Sequence, residues 1–143
     1  MNREKLKEIY TKYNLDKDDI FVLKFGGKDK PIITRAGIEK IKNQLSAQVN
    51  YKIEKLSDDN KYCVVLATGV LFEGKIKDVQ PRPKLMVQSF GEVSPENNKS
   101  NYPICMAEKR AMGRVILKLA NLTGIYSEDE SEDFIECCYP AKK

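Results

Sequence analysis

The apolar residues change period at Val49. Before it, Ile38, Ile41 and Leu45 recur at helical spacing behind Thr34, a natural N-cap, and Gly37 weakens that helix without forbidding it. From Val49 on, Val49, Tyr51 and Ile53 alternate with Asn50, Lys52 and Glu54, the pattern of a strand with one wet face. Ser57-Asp58-Asp59-Asn60 is a turn, and Tyr62 to Phe72 reads as a longer strand, apolar on both faces in its middle and therefore central. Gly69 is expected to mark a bulge in it. Leu85 to Val93 completes an antiparallel meander, after a polar connection stiffened by Pro81 and Pro83.

The flanking segments extend the order. Leu6, Ile9, Tyr10 and Tyr13 lie at helical spacing behind Asn2. Phe21 to Phe25 reads as a strand, Gly26-Gly27 opens a turn, and Ile32-Ile33 pairs back. Pro103 suits the first turn of a last helix that runs to about Asn121, with Gly124 just beyond. The order αββαβββα predicts an α+β domain with helices packed on one face of an antiparallel sheet. With 143 residues, 41% of them hydrophobic, one domain over 1–125 is expected, followed by an acidic tail over 126–143.

Charge divides along the chain. The total is +4, but residues 1–19 sum to 0, 20–125 to +8 and 126–143 to −4. A basic body suits a polyanionic partner, whereas lysines that only solvate the surface are the plainer explanation. The longest apolar run, Val64 to Ala67, is too short to span a bilayer, and no apolar leader follows Met1. With four cysteines that form no disulfide framework, a cytoplasmic setting without membrane contact is expected.

The last helix concentrates the charge. At about 100° per residue, Ile104, Ala111, Met112, Val115 and Leu119 share one broad side. Arg110, Arg114 and Lys118 run along another at i, i+4, i+8. No carboxylate lies three or four residues from Arg110 or Arg114, so the ladder reads as unpaired. Such a ladder suits phosphate tracking, although a solvated face has the same spacing. Ala107, Ala111 and Gly113 are small enough for close approach by backbone or ligand. The connection before the third meander strand adds Lys75, Lys77, Arg82 and Lys84, with only Asp78 against them. Tyr51, Tyr62, Phe72 and Phe90 are either core residues or stacking platforms for bases.

Two stretches carry a resemblance. Gly91-Glu92-Val93-Ser94-Pro95-Glu96-Asn97 is followed by Tyr102-Pro103-Ile104-Cys105-Met106-Ala107-Glu108-Lys109-Arg110-Ala111-Met112-Gly113-Arg114-Val115-Ile116-Leu117. It resembles the strand, loop and Ala-Glu-x-Arg-Ala-x-x-Arg helix of phage single-strand annealing proteins. These are the Erf type and, more distantly, Red-beta and the eukaryotic annealing mediator of double-strand-break repair. Ile33-Thr34-Arg35-Ala36-Gly37-Ile38 resembles a helix start in the same phage group. The resemblance implies a β-β-β-α core and a homo-oligomer, ring or filament, that holds single-stranded DNA in a basic groove and anneals complementary strands without ATP, in phage or mobile-element recombination. It assigns DNA-backbone contacts to Lys109, Arg110 and Arg114 on the helix, and to Arg82 and Lys84, or Lys75 and Lys77, on the hairpin.

Catalysis has little footing. Histidine is absent, which removes the commonest general base and metal ligand. Glu73-Gly74-Lys75 has the Glu-x-Lys spacing of metal-dependent nucleases, with Asp58 and Asp59 as the aspartates that would share the ion. Cys63, Cys105 and Cys137-Cys138 lack zinc spacing, and Gly26-Gly27-Lys28 lacks the rest of a phosphate loop. No enzymatic activity, metal or cofactor is expected. The remaining alternative is a protein-interaction module whose basic body and acidic tail serve self-assembly.

Overall fold

The computed structural model describes residues 3–25, 27–73, 82–96, 101–122 and 125–128. The fold is α+β and follows the expected order. Helix α1 (Arg3–Lys12) leads through a short 3-10 turn to the hairpin β1 (Ile20–Phe25) and β2 (Lys28–Ile33). Helix α2 (Arg35–Leu45) comes next, then the meander β3 (Gln48–Leu56), β4 (Cys63–Glu73) and β5 (Arg82–Val93). Helix α3 (Pro103–Leu119) and the short strand β6 (Tyr126–Ser127) close the order. Asn2, read as the first cap, lies outside the described residues.

Local chemistry sets these elements. Thr34 Oγ1 accepts from Gly37 N–H at 3.1 Å and starts α2, which buries Ile38 and Ile41. Pro103 fills the first turn of α3, where its missing N–H costs nothing. Lys40 on α2 ties the helix to the preceding turn: its Nζ donates to Asp19 Oδ2 at 2.6 Å and Asp16 Oδ2 at 3.1 Å. Burial alone would raise the Asp19 carboxyl, but hydrogen bonds from Lys40 and the Asp16 N–H hold it below its ordinary value.

The strands form two sheets rather than one. The meander is a three-stranded antiparallel sheet with β4 in the centre, as its apolar run predicts. The hairpin makes a second sheet, to whose β2 strand β6 adds in parallel through Ile32↔Tyr126 and Ile33↔Ser127. The acidic tail therefore begins later than charge suggests. Tyr126 and Ser127 are part of the body, and Glu128 Oε1 accepts from Arg35 N–H at 3.1 Å.

Helix α3 lies between the meander sheet and the rest of the body. It packs on β4 and β5 on one side and meets α2 and β6 on others. Its Ala107, Ala111, Val115, Ile116 and Leu119 are buried with Ile33, Ile38, Ile41, Val65 and Ala67. Two strand glycines allow this approach. A Cβ on Gly91 would overlap the Ala107 carbonyl oxygen and lie 2.6 Å from Ala111 N. A Cβ on Gly69 would overlap Val115 Cγ1. Gly69 is thus a docking point for the helix, and not the bulge its sequence setting suggests. The register shifts fall instead at Ile53/Lys55 and at Leu71/Phe72.

Candidate nucleic-acid interface

The predicted ladder on α3 does form, and it faces the outer edge of β5. Arg110 Nη1 donates to Glu92 O at 3.0 Å, Arg114 Nη1 to Phe90 O at 2.6 Å and Lys118 Nζ to Gln88 O at 3.1 Å. The match is one of repeats: four helical residues advance about 6 Å and two strand residues about 6.6 Å. Each cation in turn therefore meets each second carbonyl of an antiparallel neighbour. The guanidinium of Arg114 also grips the Glu92 carboxylate, at 3.2 and 3.3 Å.

This corrects the expectation of a ladder without counter-charges. The counter-charge is Glu92, 22 residues back in sequence and on another element. A test at helical spacing of three or four does not see it. Arg110 is only 1% exposed, because α3 is covered on more than one side, so its guanidinium is a buried brace with no surface for phosphate. Lys118 remains exposed and Lys109 half-buried. On the hairpin, Lys84 is exposed at the register shift and Arg82 opens β5, while Lys75 and Lys77 lie outside the described residues. The structure thus brings Arg110, Arg114 and Lys118 together at one strand edge, each with a β5 carbonyl as partner.

The opposite face of the meander has a different character. Along β4, Cys63, Val65, Ala67 and Gly69 turn toward α3 and are buried. Val64, Leu66, Thr68 and Val70 turn away and are only partly buried, although their apolar run predicts cover on both faces. Cross-strand register adds Met86, Gln88, Phe90 and Glu92 from β5, and Asn50, Lys52 and Lys55 from β3. Phe90 is 50% and Met86 62% exposed. Gln88 Nε2 donates to Thr68 Oγ1 at 3.0 Å, and Lys52 pairs with Glu54 at 3.4 Å.

All four aromatics singled out in the sequence are exposed rather than core. Strand alternation puts Phe72 and Phe90 on the open face, and Tyr62 is exposed just before β4 begins. Tyr62, Val64, Lys55 and Glu92 line a cleft of about 460 Å³ at one end. Tyr51 is on the α3 side, where burial and the Glu108 and Glu39 carboxylates push its phenol up to about 12. The open-face contribution of Met86, Lys52 and Lys55 was hidden in the sequence, because alternation marks which residues share a face but not which face stays bare.

The nuclease constellation is not assembled. Asp58 and Asp59 sit in the β3–β4 turn and Glu73 at the far end of β4, an 11-residue strand. The Asp59 carboxylate is committed to its own turn, accepting from Ser57 Oγ at 2.5 Å and Lys61 N–H at 3.0 Å. Among the described residues, no three His, Cys, Asp or Glu side chains converge as a metal would need. Nor, among these residues, is any helix long and apolar enough to cross a membrane. Compared with known protein families, with curated proteins and with solved structures, the chain has no match.

Proposed function

We propose that this protein binds single-stranded nucleic acid on the open face of the β3–β4–β5 sheet. The observation that carries this reading is the exposed Phe90, Met86 and Phe72 on one face of the sheet with Lys52, Lys55, Asn50 and Gln88, and Tyr62 exposed beside its end. Aromatic rings stack on any base, lysines hold phosphates, and amides meet base edges or sugars. The net charge of +8 over 20–125 suits a polyanionic partner. Annealing of complementary strands without ATP, in assemblies of phage or mobile-element recombination, is the part of the proposal that rests on the α3 sequence resemblance.

The proposal moves the binding residues. Arg110 and Arg114 belong to the resemblance by sequence, but their bonds to β5 give them the work of holding helix and sheet together. The stacking surface lies on the other side of that sheet. Titration of labelled single strands and duplexes at several salt concentrations tests the reading. Single strands are expected to bind more tightly than duplex, with affinity falling as salt rises. Absent binding, or equal and salt-insensitive binding of both, rejects it. The interaction-module reading is favoured by one observation, the outer edge of β3, with which no strand pairs among the described residues.

A further inference from the structure

The meander sheet has two edges, and they are treated differently. On β5, the outward carbonyls of Gln88, Phe90 and Glu92 accept from the α3 cations. Outward and inward backbone groups alternate in an antiparallel ladder. Opposite those residues, Thr68, Leu66 and Val64 therefore turn their N–H and C=O groups toward β3. On β3 this leaves Val49, Tyr51 and Ile53 with both backbone groups pointing away from the sheet. Among the described residues no strand pairs with that edge. Of its nine residues all but Val49 are exposed. A long strand edge with exposed tyrosine and isoleucine is a template for another strand.

We infer that β3 pairs antiparallel with β3 of a second copy of this chain, about a two-fold axis at Tyr51. Register arithmetic selects this partner. Centred on Tyr51, Tyr51 meets its own copy and Val49 meets Ile53, so the outward-pointing residues pair with one another and each donates and accepts across the join. On the α3 side this makes an apolar row, and on the open side Asn50 lies opposite Lys52. Moving the centre to Lys52 places two lysines face to face, which is unfavourable. Moving it to Ile53 runs the ladder into the irregularity between Ile53 and Lys55. Moving it to Asn50 takes Ile53 out of the apolar row. The strand is therefore self-complementary in one register, as an isologous interface requires. The β5 edge offers no such match, because its carbonyls already have donors. The pairing joins two open faces into one six-stranded surface, but it does not rest on nucleic-acid binding.

Sedimentation of the full chain without nucleic acid, over a range of protein concentrations, tests the inference. A reversible dimer is expected. Tyr51→Pro removes an N–H that faces away from β4, so the subunit keeps its own ladder while the dimer is lost. A charge pair tests the register on an exposed residue: Asn50→Lys sets two lysine pairs across the axis and Asn50→Glu sets two attractive pairs. The dissociation constant is expected to rise roughly threefold to tenfold in the first and fall by a similar factor in the second. A monomer at every concentration overturns the inference. So does a dimer in which both Asn50 variants behave as the unsubstituted chain.

Discussion

Gly91 and Phe90 are neighbours on one strand and serve opposite ends. On the face toward α3 the sheet removes side chains, so that helix backbone rests on Gly91 and the Val115 and Leu119 side chains on Gly69. On the other face it keeps Phe90, Met86 and Phe72 large and leaves them exposed. A row of large apolar residues on one bare face is the kind of patch with which proteins bind partners, and it supports the proposed reading. The covered face is where sequence changes cost stability. On the open face, under the proposed reading, they are expected to cost binding instead.

The largest expected effect is that of Gly91→Ala. The new methyl meets backbone atoms of Ala107 and Ala111, which cannot rotate away, so α3 must shift. A loss of about 3 kcal/mol or more in unfolding free energy is expected in urea titration. Arg110→Met keeps the buried stem but removes the guanidinium from the Glu92 carbonyl, and is expected to cost about 1.5–3 kcal/mol in the same titration. Gly69→Ala meets side-chain atoms of Val115 and Leu119, which can give, and is expected to cost about 1–3 kcal/mol. If Gly69→Ala proved costlier than Gly91→Ala, the helix would be seated differently from this description. Phe90→Ala sits at the small end, within about 0.5 kcal/mol of the unsubstituted chain, as exposed substitutions do.

Particular residues show how much of this was legible in the sequence. The switch of period at Val49, the cap at Thr34 and Pro103 in the first turn of α3 are local signals, and each element they predict is present. The split into two sheets was not legible, because β6 is two residues long and forms only where the folded β2 receives it. Gly69 was misread for the same reason: a glycine in a strand looks alike whether it bends the strand or admits a helix. The ladder of Arg110, Arg114 and Lys118 was visible as a spacing, but its partners lie 18, 24 and 30 residues away on β5. Helical periodicity identifies cations that share a side and is silent about what that side meets. The exposed aromatics were named, and only the folded sheet could decide between core and platform.

The assignment of binding to the open face, and of the α3 cations to the fold, is the central claim. It is tested most directly by titrating one fluorescent single strand with Phe90→Ala and with Arg114→Met at fixed salt, both variants first verified as folded. Phe90→Ala is expected to weaken binding by about 1–3 kcal/mol, the worth of one stacked base, while Arg114→Met binds nearly as the unsubstituted chain does. Retained affinity in Phe90→Ala together with lost affinity in Arg114→Met would contradict it and return the site to the helix.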